Sequence, residues 1–129
     1  MATVKNKNKR PVFLNLLRIR LPVAGLVSIL HRITGVLLAL LLPGLFYLLQ
    51  LSLESEAGFR RVQELLAPAP ARLILLALIG LLAQHFFSGI RHLLLDLDLG
   101  VSRRVGGRSA WLALAASLAF TLWAGVVLL

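Results

Sequence analysis

Three long uncharged runs constrain this chain more than any other feature of its sequence. They cover Ile33–Leu53, Leu73–Ile90 and Ser109–Leu129. Crossing the hydrocarbon core of a bilayer takes about 20 helical residues, a length that the second run reaches with its flanking residues. The runs show almost no amphipathic pattern, and the chain is 59% hydrophobic with a mean hydropathy of +0.90, which is not typical of a soluble domain. We predict an all-α integral membrane fold with three transmembrane helices.

The predicted organisation is a single membrane domain over residues 1–129, with spans at about 26–52, 71–97 and 109–129. Residues 1–25 precede the first span as a basic cytoplasmic and interfacial segment. Between the first two spans, the sequence ESEAGFRRVQELL favours a short helix in the outer loop, and PAPA separates it from the second span. In the third span, small residues recur every four positions on a face where another helix can pack closely, at Ala113, Ser117, Thr121 and Gly125.

The net charge of +9 is unevenly distributed between the two predicted membrane faces. With three spans, the N-terminus and the second loop share one face, and that face carries two anions, Asp96 and Asp98, against the cations Lys5, Lys7, Lys9, Arg10, Arg18, Arg20, Arg32, Arg91, Arg103, Arg104 and Arg108. The charges on the other face cancel. The positive-inside rule therefore predicts a cytoplasmic N-terminus. Nucleic acid is not an expected partner, because no basic stretch is interleaved with base-stacking aromatics.

The chain contains no cysteine. This composition excludes disulfides, iron–sulfur ligation and thiolate metal sites within the chain. It also excludes haem attached covalently through a Cys-x-x-Cys-His motif. A haem in this protein would have to be held without covalent bonds to the chain.

A polar stripe runs along the second predicted span. His85, Gly89, His92 and Asp96 follow one another at helical spacing, with Ser88 at the edge of the stripe. His85 precedes His92 by two helical turns and lies about 10 Å deeper in the membrane. Gly89 has no side chain and leaves a slot for a flat group. Ionisable groups inside a membrane are costly, so each is a candidate for function.

A second polar face begins the first predicted span, in the sequence SILHRITG. Ser28, His31, Arg32 and Gly35 share this face. The three-span topology places it at the same membrane face as Arg91–Asp96. The two clusters are therefore predicted to lie near each other, with His85 deeper in an apolar environment.

This arrangement is typical of a site for non-covalent haem b. Iron takes an imidazole from within the hydrocarbon region, and His85 is placed for that role. The propionates need cations and hydrogen-bond donors near the interface, where His31, Arg32, Arg91 and His92 lie. The alternative is that His85 only hydrogen-bonds another helix.

The same cluster suits a quinone headgroup. Ser28 can donate a hydrogen bond to a quinone carbonyl, and Arg32 can stabilise negative charge on it. Alternatively, Ser28 caps a helix, and Arg32 and Arg91 anchor helix ends at the interface. Asp96 either relays protons or forms an ion pair with a nearby arginine.

Two motifs in these clusters resemble the signatures of the cytochrome b subunit of succinate dehydrogenase. SILHRITG resembles its S-x-x-H-R-x-(S/T)-G signature, and HFFSGIRHLLLD resembles its H-x-x-x-G-x-R-H-L-x-x-D signature. The order, the spacing and the three-span layout agree, and the segment RPVFLNLLRIRLPVAGLVSILHR resembles the N-terminal lead-in of enterobacterial-type members. Arg91 and Asp96 belong to the second motif without a fixed role. The Phe-Phe pair after His85 departs from relatives.

The resemblance implies a membrane-anchor subunit of respiratory complex II in a bacterial inner membrane. It would pair with a second hydrophobic subunit and dock an iron–sulfur protein and a flavoprotein on the cytoplasmic face. By motif, His85 would be one axial ligand of a haem b, with the other histidine from the partner. Ser28 and Arg32 match ubiquinone-site residues, and His31 and His92 match residues near the haem propionates.

By this resemblance, the chain would be a non-flavin subunit of the enzyme, because succinate would be oxidised in the flavoprotein. Three other interpretations stay open at the level of sequence. The chain could serve only as a structural anchor, it could belong to a fumarate reductase built on the same pattern, or the polar stripe could line the pathway of a small transporter.

Overall fold

The structure is a computed structural model, and it describes residues 21–129. Most of the predicted cytoplasmic and interfacial segment lies outside the described residues, so that expectation stays a prediction. Within the described part, all regular secondary structure is helical, which confirms the all-α fold class. Three helices are long and apolar enough to cross a membrane, as predicted. In chain order the helices are α1 (Val23–Glu54), α2 (Glu56–Leu66), α3 (Ala69–Asp96) and α4 (Arg103–Leu128).

Helix α1 is the longest element. Its 32 residues extend about 48 Å, well beyond the roughly 30 Å of a hydrocarbon core. The helix continues through Pro43 and is capped at its start by Pro22. Ser28 therefore lies in the second turn of α1, and the alternative that it caps the helix is wrong.

Helix α2 confirms the short helix predicted in the outer loop. The Ser55 hydroxyl accepts a hydrogen bond from the Gly58 N–H at 3.0 Å and caps the helix start. Gly58 packs so closely on the Leu51 carbonyl that a Cβ there would overlap its oxygen. The loop therefore requires glycine at that position. The PAPA sequence overlaps the start of α3, because Pro68 caps the helix and Ala69–Pro70 form its first turn.

Helices α3 and α4 form a hairpin through the turn Leu97–Ser102, in which Gly100 adopts a φ of +81°. The small-residue face of α4 packs against α3, as predicted. Ala113 and Ser117 are buried. A Cβ at Gly80 of α3 would lie 3.3 Å from the Thr121 methyl group. Small residues thus allow the two backbones to approach closely along this interface.

Helix α1 packs against α3 and also contacts α4, and its buried residues lie in its N-terminal half. Val27 and Thr34 are its buried residues. Further along α1, the two helices border an open groove of about 520 Å³ that ends at His85. The fold therefore places the predicted polar clusters where α1 and α3 meet.

Candidate functional site

The three histidines lie in one series at the junction of α1 and α3. The His31 ring stacks on the His85 ring, with a centroid distance of 4.2 Å and an interplanar angle of 9°. The His92 ring also lies next to His31, with a centroid distance of 5.0 Å and a tilt of 46°. The His31 ring thus lies between His85 and His92, which occupy different depths along α3.

Each helix of this junction contributes a glycine beneath a histidine of the other. A Cβ on Gly35 of α1 would lie 3.0 Å from Cε1 of His85, and a Cβ on Gly89 of α3 would lie 3.3 Å from Nε2 of His31. The sequence predicted a slot at Gly89 for a flat group. The structure places the imidazole of His31 in that slot, and it gives Gly35 the same function for His85.

The hydrogen bonds of His85 determine which of its ring nitrogens carries a proton. Nδ1 lies 3.1 Å from the His31 carbonyl oxygen and 3.3 Å from the Thr34 hydroxyl. A carbonyl oxygen can only accept a hydrogen bond, so Nδ1 is the protonated nitrogen. Nε2 then keeps its lone pair. A neutral imidazole with this tautomer is what a metal ligand requires, and metal-binding histidines commonly donate their second N–H to a backbone carbonyl.

An apolar groove lies beside His85 between α1 and α3. Apart from His85, its walls are glycine and aliphatic side chains: Gly35, Leu38, Ala39, Leu42, Leu45, Leu75, Leu78, Ile79 and Leu82. An imidazole that lines the end of an apolar groove suits a flat hydrophobic cofactor that needs a nitrogen ligand.

Arg91 is directed to α4. Its guanidinium is nearly buried, with 6% of the residue exposed. It donates one hydrogen bond to the Ser109 hydroxyl at 3.1 Å and another to the Gly106 carbonyl at 3.2 Å. The sequence did not predict these contacts, and they commit two of the five N–H donors of Arg91 to holding α3 against α4. Its role near haem propionates stays a prediction.

The remaining predicted residues lie around the N-terminal end of α1 and the C-terminal end of α3. Ser28 is half-buried one turn before the exposed Arg32, and Asp96 is exposed where α3 ends. Within residues 21–129, no cation lies within ion-pair distance of Asp96. His92 is half-buried, and among the described residues its buried Nε2 has no hydrogen-bond partner. That nitrogen can bind a group supplied from outside this part of the chain.

Two residues with clear roles in the structure were not predicted. Thr34 contacts the Nδ1 of His85, and Gln84 joins Ser88 to Ser117 across α3 and α4. The available signals were the (S/T) position of the SILHRITG motif, which Thr34 occupies, and helical spacing, since Thr34 follows His31 by one turn. That spacing does not reveal which neighbouring helix the hydroxyl faces.

Comparison with known proteins gives consistent matches over most of the chain. Residues 6–124 match the family described as succinate dehydrogenase/fumarate reductase transmembrane subunit. The chain is 35% identical over 119 residues to the succinate dehydrogenase cytochrome b556 subunit of Coxiella burnetii, covering 92% of this chain and 95% of the relative. It is 32% identical over 95 residues to the succinate dehydrogenase hydrophobic membrane anchor subunit of Archaeoglobus fulgidus, covering 74% and 80% of the two chains.

Proposed function

The chain belongs to the succinate dehydrogenase/fumarate reductase transmembrane subunit family, and we propose that it binds haem b and forms part of a ubiquinone site. It works as a single membrane-anchor domain with its spans within α1, α3 and α4. The family membership supports an anchor role in the enzyme. The haem and quinone roles depend on the residues at the α1–α3 junction.

The observation that carries the haem proposal is the hydrogen bonding of His85. Its Nδ1–H donates to the His31 carbonyl at 3.1 Å, which leaves Nε2 free to ligate iron beside the apolar groove. The name of the Coxiella burnetii relative, cytochrome b556 subunit, supports haem b as the bound group. By resemblance to the family, a histidine of a partner hydrophobic subunit would hold the same haem.

Residues on the hydrophilic side of His85 would hold the propionates. The buried Nε2 of His92, which has no hydrogen-bond partner among the described residues, is available to bind a carboxylate. His31 lies between His92 and His85. Arg91 adds positive charge nearby, with hydrogen bonds to α4 that fix its position.

The ubiquinone site includes Ser28 and Arg32, which lie on α1 one turn apart. The Ser28 hydroxyl donates a hydrogen bond to a quinone carbonyl, and the exposed guanidinium of Arg32 stabilises negative charge that develops on that oxygen. Asp96, exposed at the end of α3, relays protons, since no cation among residues 21–129 lies within ion-pair distance of it.

Succinate oxidation takes place in a flavoprotein, and an iron–sulfur protein delivers the electrons to the quinone. Both dock on the basic cytoplasmic face of the bacterial inner membrane, where the N-terminus of this chain also lies. When bound, the haem supplies a one-electron acceptor next to that path. The residues of this chain bind the haem and hold the quinone headgroup.

The proposal is tested by purifying the complex in mild detergent with all of its subunits. The wild-type complex should show a reduced b-type haem spectrum, and His85→Ala should abolish it. Phe86→Ala is the matched control, since that neighbouring side chain is exposed and its loss should leave the spectrum intact. A normal haem spectrum in His85→Ala would overturn the ligand assignment.

The same preparation tests the quinone site. Arg32→Ala and Ser28→Ala should reduce quinone reduction by about tenfold or more, since each removes a group that stabilises charge on the quinone oxygen, while succinate oxidation with an artificial dye continues. Arg61→Ala, an exposed residue of α2, serves as the control. Equal loss of both activities in the Arg32 and Ser28 variants would contradict the assignment.

A further inference from the structure

We propose that Thr34 is a positioning residue that fixes the tautomer and the ring orientation of His85. This inference rests on the proposed role of His85 as a haem ligand and deepens it. No part of the function proposed so far uses Thr34, although it is one of two buried residues of α1 and only 4% exposed.

The hydrogen-bond geometry of Thr34 leaves its oxygen free to accept from His85. The hydroxyl has one hydrogen, and it lies closest to the Leu30 carbonyl at 2.8 Å, with the His31 carbonyl at 3.0 Å. Donation to either carbonyl within α1 turns the lone pairs of Oγ1 to the Nδ1 of His85, 3.3 Å away. The Nδ1–H of His85 is therefore shared between two acceptors of α1, the Thr34 hydroxyl and the His31 carbonyl.

Packing restrains the same ring from other directions. Gly35 leaves just enough room for His85, since a Cβ there would approach Cε1 to 3.0 Å. The His31 ring stacks against the ring of His85 at 4.2 Å. Rotating the imidazole would break the hydrogen bonds to α1 and disturb the stacking, so these contacts together determine the direction in which Nε2 presents its lone pair.

A hydrogen bond accepted from Nδ1–H also makes the imidazole a stronger electron donor at Nε2. A stronger donor stabilises the oxidised form of a bound iron and lowers its reduction potential. Removing the Thr34 hydroxyl should weaken this effect without removing it, because the His31 carbonyl remains. The expected result is an upward shift of the haem potential and weaker retention of haem.

The experiment compares two matched pairs in the intact complex. In the first pair, Thr34→Val replaces the hydroxyl with a methyl group and is compared with wild type. Thr34→Ala and Thr34→Ser differ by the hydroxyl alone, so this pair isolates the oxygen even if the valine variant fails to assemble. The measurements are the haem midpoint potential from a redox titration and the rate of haem transfer to apomyoglobin.

We expect wild type and Thr34→Ser to share one potential, with Thr34→Ala and Thr34→Val shifted upward. Haem transfer should be on the order of tenfold faster without the hydroxyl, as when a residue that hydrogen-bonds a metal ligand is removed from other proteins. Equal potentials and transfer rates in Thr34→Ala and Thr34→Ser would overturn the role of Thr34. That outcome differs from failure of the proposed function, in which the wild-type complex lacks haem b or His85→Ala retains it.

Discussion

The two faces of α3 use polar residues for different purposes. On the face toward α4, polar side chains form hydrogen bonds between the two helices at both ends and in the middle of α3. Arg72 donates to the Leu128 carbonyl at 3.5 Å, the Ser117 hydroxyl donates to Gln84 at 2.7 Å, and Arg91 reaches two groups of α4. Toward α1, the cross-helix hydrogen bonds found among the described residues all involve His85.

This difference indicates which interface is complete in the chain itself. The α3–α4 interface buries small residues and satisfies its polar groups internally, as expected for a permanent contact between membrane helices. The α1–α3 interface ends in an apolar groove, and it contains a buried imidazole nitrogen that lacks a partner in the part of the chain that the structure describes. We infer that α3–α4 gives the chain its stability and that α1–α3 provides its binding site.

The largest effect is expected from Gly35→Val, which fills the space beneath His85. A Cβ there already approaches Cε1 to 3.0 Å, and overpacking of this kind costs about 1–3 kcal/mol. His85 must move, so most of the haem should be lost, as measured by haem content per flavin. Gly44→Val in the same helix is the control, because no neighbouring atom lies within 4 Å of a Cβ at that position. A full complement of haem in Gly35→Val would refute the proposed function of the junction.

A smaller effect, on stability alone, is expected from Gln84→Ala. The substitution removes the bridge between Ser117 and the fully buried Ser88, and hydrogen bonds between membrane helices contribute about 0.6 kcal/mol each on average. The thermal midpoint of the complex should fall while the haem spectrum stays unchanged. Gln50→Ala, which removes an exposed hydrogen bond within α1, is the control. A shifted spectrum at an unchanged midpoint would show that the two interfaces are not separate in function.

The smallest effect is expected from Gly89→Ala. Its Cβ would approach Nε2 of His31 to 3.3 Å, so the ring needs to shift by only a few tenths of an ångström. We expect a cost below about 1 kcal/mol, retention of haem and a small change in its spectrum. Gly107→Ala, with no atom within 4 Å of its Cβ, should leave the spectrum as in wild type. Haem loss as large as in Gly35→Val would show that His31 is held as rigidly as His85.

Much of the fold could be predicted from the sequence, because a bilayer allows few alternatives. Three uncharged runs in a chain this apolar require helices that satisfy their own backbone hydrogen bonds, and the structure has three such helices. Helical spacing also placed His85, Gly89 and His92 on one face of α3. The sequence did not predict which residues of other helices contact that face, because spacing along one helix does not specify its rotation relative to the next.

The sequence by itself determined the membrane class, the number of spans and the depth order of the histidines along α3, since these depend on hydropathy and helical rise alone. Only the tertiary structure decided that His31 lies over Gly89, that Gly35 lies beneath His85, and that Arg91 is directed to α4. The physical reason is that close packing of small residues between α3 and α4 determines the rotation of α3. Once that rotation is set, it determines which groups α3 presents to α1.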